Sequence, residues 1–157
     1  MVKILFLCWG NICRSPMAEF IFNDMANKRG ADDRFHADSA AVSSEEIING
    51  VGNPVYPPAR KILNEHGISC GEKRAVMMRK EDYGKYDRLI CMDRKNIRTA
   101  LRILGSDPDH KLSLLLDHTE RRGEEVADPW YTGDFKEAWD DIYEGCEGLL
   151  DLLISEG

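Results

Sequence analysis

The sequence predicts a single α/β domain over residues 1–157, a parallel sheet with helices on both faces. Three observations predict it. Short β-favouring runs alternate along the chain with segments whose apolar residues recur every three or four positions. The runs read as buried strands, and strand followed by helix, repeated, implies crossover connections under a sheet covered on both sides. Glycines stand where the helical periodicities stop, returning the chain to a new strand.

The elements follow in order. Residues 2–7 form the first strand and run into a turn region at Gly10 and Asn11. Met17, Ile21 and Met25 then recur every four residues, with Pro16 near the start and Gly30 as the stop. Residues 35–40, 88–92 and 111–116 are three further strand runs. Between them Ala59, Ile62, Leu63 and His66 precede Gly67, and Ile97, Ala100, Leu101 and Leu104 precede Gly105. His66 reads as a cap or core histidine. A last helix over 135–154 carries Ala138, Ile142, Cys146, Leu149 and Leu153 on one stripe.

Composition narrows the function classes. A formal charge of −7 on 157 residues disfavours nucleic acid and acidic membrane surfaces, which need a basic face. The apolar N-terminal run is too short for a signal peptide and lacks a small-residue cleavage site, and no stretch approaches a membrane span. Five cysteines, odd in number, read as reduced thiols of a cytoplasmic protein.

Open parallel sheets bind ligands beyond the carboxyl ends of their strands, so the loop after the first strand is the first place to look. It reads Cys8-Trp9-Gly10-Asn11-Ile12-Cys13-Arg14-Ser15-Pro16. Gly10 and Asn11 tolerate unusual backbone angles, letting successive N–H groups curl inward into an anion nest. The loop feeds a helix N-terminus, which attracts anions, and Arg14 adds a planar fork for two phosphate oxygens. A thiol among such donors loses its proton readily. A thiolate inside an anion-binding loop is equipped for phosphate transfer; a bare Cys-x5-Arg spacing without this setting would carry little.

Residues 8–16 resemble the signature loop of the low-molecular-weight protein tyrosine phosphatases, and the likeness extends over nearly the whole chain. Asp38-Ser39-Ala40, His66-Gly67-Ile68, Cys91-Met92-Asp93 with Asn96, and Asp128-Pro129-Trp130-Tyr131 occur in family-like order. The resemblance implies a four-stranded parallel sheet of order 2-1-3-4, five helices, no cofactor and no metal. It implies phosphotyrosine-containing proteins as substrates and a monomer or weak dimer. Cys8 would be the nucleophile and Arg14 the phosphate clamp. Asn11, Ser15 and Ser39 would hold the loop in shape, with Ser15 also stabilising the departing thiolate.

Asp128 would be the proton donor to the leaving group and the base in the second step. An Asp-Pro pair by itself is usually only a turn, so this role rests on the resemblance. Trp130 and Tyr131 would shield the acid and wall the substrate ring. Cys13 would pair with Cys8 under oxidation, protecting it from over-oxidation. Cys70, Cys91 and Cys146 read as core or loop thiols. Arg94, Lys95, Arg98 and Arg102 read as a solvated helix face.

The chain departs from the family in places. Trp9 follows the nucleophile, where a smaller residue is usual. It would either face Trp130 as the second wall of a slot or pack against Ile47, Ile48 or Tyr56 to hold the 42–58 loop. That loop lacks the usual early aromatic, Tyr56 and Pro58 replace an Asp and an Arg, and Lys73 stands where a supporting histidine is common. Two alternatives share the fold. Arsenate reduction would need relay thiols after the third strand, yet no cysteine lies within fifty residues beyond Cys91. Phosphoarginine hydrolysis would use a pocket shaped for a guanidinium, where Ile12 and the aromatic acid loop favour tyrosine.

Overall fold

A computed structural model describes all 157 residues. Strand β1 (Val2–Cys8) leads into helix α1 (Arg14–Lys28), and β2 (Phe35–Ala41) follows. A small antiparallel hairpin, β3 (Ile47–Ile48) and β4 (Val51–Gly52), comes next and precedes α2 (Pro57–Glu65). Then come α3 (Asp82–Lys85), β5 (Arg88–Cys91), α4 (Arg94–Leu104) and β6 (Leu112–Leu114). A 3-10 turn (Leu115–His118), α5 (Pro129–Thr132) and α6 (Phe135–Glu156) complete the chain.

The sheet is parallel with order β2-β1-β5-β6. This is the expected 2-1-3-4 arrangement; the hairpin inside the 42–58 loop merely shifts the count. Six helices stand where five were expected, four of them long and two, α3 and α5, single turns.

Alternation along β1 divides the interior. Ile4, Phe6 and Cys8 face the larger core, packed by Met17, Ile21 and Phe22 of α1, Leu63 of α2 and Ile142 to Leu153 of α6. Leu5 and Leu7 face a smaller core with Tyr86, Leu89, Ala100 and Leu104. Phe6 meets Phe22 edge-on at 5.9 Å. Each such side chain, fully buried, contributes about 1.5–3 kcal/mol.

The fourth strand is shorter than its apolar run. Leu115 and Leu116 leave the sheet as a 3-10 turn and enter the larger core, Leu115 seating against Gly145 of α6 where any side chain would collide. Continuing as a strand would turn Leu116 to the opposite face of the sheet. His66 caps α2, its Nδ1 2.9 Å from the Ile62 carbonyl and its ring stacked on Trp139 at 3.8 Å.

The chain leaves β1 toward β2 on one side and later returns to β5 on the other. The carboxyl end of β1 is thus the point where strand order reverses, and Cys8 is its last residue.

Candidate active site

The loop after β1 is built to present N–H groups. Four of its carbonyls are bonded to partners outside the pocket: Cys8 O to Val42 N and Trp9 O to Ser43 N at 3.0 Å, Ile12 O to Tyr56 N at 2.9 Å, Cys13 O to Met17 N at 3.1 Å. A trans peptide aims its N–H opposite to its own carbonyl, and no peptide in the chain is cis. The N–H groups of Trp9, Gly10, Cys13 and Arg14 therefore aim the other way. No N–H of residues 9–14 donates to any protein acceptor. Such a curl of free donors at a helix start is an anion nest.

Asn11 makes the curl possible. It takes the left-handed conformation at φ 59, which asparagine tolerates better than most residues. Its side-chain oxygen accepts from Val76 N at 3.0 Å, which fixes the amide's orientation. Both amide protons are then spent on hydroxyl oxygens, Ser15 at 2.8 Å and Ser39 at 3.0 Å. Each serine, accepting from Asn11, must donate elsewhere. Ser39 donates to Glu19 at 2.6 Å. Ser15 Oγ lies 2.9 Å from Cys8 Sγ, where it can donate to a thiolate, and the Ser15 backbone N–H also points there at 3.4 Å.

Glycine at position 10 answers to space. Its φ is not positive, but a Cβ there would lie 2.9 Å from Glu46 Cγ. Lys73 extends the network, with Nζ 3.0 Å from the Ser39 carbonyl and 3.4 Å from Glu19. The lysine thus supplies a cationic donor behind the loop.

Arg14 is 2% exposed and held by three oxygens. Nη1 donates to Asp93 Oδ2 at 2.9 Å and to the Val126 carbonyl at 2.7 Å, and Nη2 lies 3.5 Å from Asp128 Oδ2. Asp93 serves twice, because its other oxygen caps α4 by accepting from Asn96 N at 2.8 Å. Val126 is pinned from both sides, its N–H bonded to Met92 O at 2.9 Å. Two residues on, Asp128 caps the short α5, its Oδ1 accepting from Trp130 N at 3.0 Å.

A pocket of about 120 Å³ opens over Cys8, lined also by Trp9, Gly10, Ile12, Cys13, Arg14, Asp128, Trp130 and Tyr131. Asn11, Ser15 and Ser39 lie behind it, each buried. Burial pushes the Cys13 thiol up, and the neighbouring charges of Cys8 and Asp128 push the same way. Burial also raises Cys91 and Cys146. With Cys70, all five cysteines are unpaired and buried.

Two expectations need correction. Trp9 packs on the smaller core rather than against Ile47 or Tyr56, which pack around Ile12 and Ala75; it lines the same pocket as Trp130, on which the Tyr56 ring leans at 4.8 Å. The cationic face of α4 is not merely solvated. Lys95 Nζ sits 4.0 Å from the Trp9 ring centroid, and Arg94 donates to Gly123 O at 2.6 Å, fastening the segment that leads to Asp128. Both follow from the sheet order, which sets the first turn of α4 beside the β1 loop.

Sequence reasoning missed the roles of Asp93, Glu19, Glu45, Glu46 and Tyr56 at or behind the site. Asp93 carried a signal, a helix cap directly before an apolar periodicity; the others meet their partners only in the fold.

The comparisons agree with this geometry. A family model described as low molecular weight phosphotyrosine protein phosphatase matches residues 3–156. The low molecular weight protein-tyrosine-phosphatase YfkJ of Bacillus subtilis is 40% identical over 157 residues, covering 99% of this chain and 98% of the relative. Its crystal structure superposes with a TM-score of 0.93 at 38% identity, covering 99% of this chain and 96% of that one. The low molecular weight phosphotyrosine protein phosphatase of Sus scrofa is 33% identical, over 96% of this chain and 95% of its own. The arginine phosphatase YwlE shares the fold, with a TM-score of 0.83 at 24% identity over 97% of this chain and 95% of that one. With a thiol, a clamped arginine and a carboxylate gathered around an anion nest, and relatives matched end to end, the chain belongs to the low molecular weight phosphotyrosine protein phosphatase family.

Proposed function

We propose that this chain hydrolyses phosphotyrosine in protein substrates through a phosphocysteine at Cys8. The observation that carries the reading is the run of unbonded N–H groups over residues 9–14 around the Cys8 sulfur. Three phosphoryl oxygens would sit on these donors and on Nε and Nη2 of Arg14, whose Nη1 stays anchored to Asp93 and Val126. The Cys8 thiolate attacks phosphorus as the P–O bond to the phenol breaks. Asp128 gives its proton to the departing oxygen.

In the second step water attacks the phosphocysteine and passes a proton to Asp128. The P–S bond breaks, and the returning thiolate accepts from Ser15 Oγ and N. The free enzyme and inorganic phosphate result. Trp130 and Tyr131, at the mouth, would receive the tyrosine ring.

Membership of the family supports phosphoprotein substrates. No helix is long and apolar enough to cross a membrane. The five unpaired thiols support a cytoplasmic setting, and the acidic charge of −7 supports protein rather than nucleic-acid partners. Cys13, protonated and lining the same pocket, would condense with a Cys8 sulfenic acid to a disulfide, releasing water. Peroxide-treated enzyme should then regain activity under thiols, and Cys13→Ser should regain less; equal recovery would remove that role.

The test of the main reading sets a phosphotyrosine peptide against phosphoarginine and arsenate. Efficient turnover of the peptide, with no arsenate reduction under thiols, is expected. Preferential hydrolysis of phosphoarginine would move the pocket to a guanidinium leaving group.

A further inference from the structure

A second cavity, of about 960 Å³, adjoins the catalytic pocket and runs along α2. The two share Ile12, Glu46 and Trp130 as lining, so the groove starts at the mouth. Its floor is Tyr56, whose ring leans on Trp130 at 4.8 Å and stacks on Phe135 at 6.0 Å. The space far exceeds what a phosphoryl group and one ring need.

Charge alternates along it, with Glu46 at the mouth, Arg60 and Lys61 next, and Glu65 at the end of α2. Glu46, nearest the mouth, is occupied by Asn53 Nδ2 at 2.7 Å. Beyond it Arg60 and Lys61 stand side by side on α2, and neither forms an ion pair. Arg60 reaches only the Gly71 carbonyl, at 3.2 Å. Glu65, one turn of α2 beyond Lys61, also lines the groove, but neither it nor Glu46 forms an ion pair with Arg60 or Lys61, so the two cations in the middle of the cleft stay open to an anionic side chain.

We propose that this groove holds the polypeptide flanking the phosphotyrosine, with an acidic side chain of the substrate meeting Lys61 and Arg60. The proposal rests on the phosphatase reading and names a substrate class for it. A phosphotyrosine ring seated between Trp130 and the catalytic loop leaves its backbone at the rim, where the groove begins. One direction of the chain then lies over Tyr56 and the outer face of α2, and the other leaves to solvent.

The experiment is a set of phosphotyrosine peptides carrying a single Glu or a single Lys at each position from four before to four after the phosphorylated residue. Free phosphotyrosine and p-nitrophenyl phosphate, which do not reach the groove, are run beside them. Peptides should exceed free phosphotyrosine by about tenfold in kcat/KM. A Glu on one side only should lower KM by roughly two- to fivefold against Lys at the same position. Lys61→Glu should reverse that preference at the same position while p-nitrophenyl phosphate turnover stays level. Peptides no better than free phosphotyrosine, or a charge preference that survives Lys61→Glu, would overturn the groove. Loss of p-nitrophenyl phosphate turnover in the wild-type enzyme would instead strike the phosphatase reading itself.

Discussion

The two sides of the pocket are held in opposite ways. On the phosphate side the side chains that shape the loop are buried and fastened, leaving only its inward N–H groups free: Asn11 and Ser39 are 1% exposed, and each has its hydrogen bonds assigned to a partner. On the substrate side Trp130 is 52% exposed and Tyr131 82%, and the Asp128 carboxylate is held only by the cap bond of a one-turn helix and a long 3.5 Å contact with Arg14. A cradle for an invariant group can be rigid. A mouth proposed to admit different proteins, and an acid proposed to give and take a proton in turn, need freedom. Stability is concentrated where charge develops, and adaptability where the substrate varies.

Substitutions can break this contrast, and the largest effect belongs to the cradle. Cys8→Ser should abolish turnover of every phosphate ester, whatever its leaving group, while vanadate binding measured by calorimetry persists. Residual turnover above the background of other cradle variants would break the division.

Asp128→Asn acts from the other side. It should slow aryl phosphates by roughly 10²–10⁴, and the loss should shrink as the leaving group becomes able to depart unprotonated. A loss equal across a leaving-group series would make Asp128 a second structural clamp on Arg14, from which it stands 3.5 Å.

Trp9 sits on the boundary, its backbone in the cradle and its ring at the mouth, held by Lys95. Trp9→Ala should raise KM for aryl phosphates several-fold and spare small alkyl phosphates, since a stacked ring contributes about 0.5–1.5 kcal/mol. A shared loss would assign the ring to packing alone.

The smallest effect is a pH slope. Burial raises the Glu19 carboxyl above its ordinary 4.5, against the opposing charge of Lys73 and the Ser39 hydroxyl. A raised acid contributes stability below 4.5 that is lost as pH climbs through its folded value. Glu19→Gln keeps the neutral form at all pH, so the Tm difference between variant and wild type should move in the variant's favour as pH rises from 4.5. A constant difference would mean that Lys73 offsets the burial in full.

How much of this could be read from the chain follows the same divide. The cradle is nearly contiguous, residues 8–15, so motif spacing exposes the thiol, the fork, the asparagine and the serine together. The acid stands apart but carries Pro129, Trp130 and Tyr131 beside it. What stayed hidden joins distant segments: Asp93 on Arg14, Glu19 and Lys73 on Ser39, Lys95 on Trp9, Tyr56 on Trp130. Beyond the helix-cap signal at Asp93, none has a local periodicity or spacing to betray it; each pair forms because parallel strands bring their carboxyl ends to one edge. The strand runs were legible, and the early end of β6 was not, because the pull of the larger core on Leu115 appears only once α6 is in place.

The central claim is that phosphate passes through Cys8. Asp128→Ala should retard hydrolysis of the intermediate more than its formation when the leaving group is a good one. Acid-quenching that variant during turnover of p-nitrophenyl phosphate and mapping its peptides by mass should find phosphate on the peptide bearing Cys8, absent in Cys8→Ser. Phosphate on another residue, or steady turnover with no phosphopeptide at any time, would contradict the account.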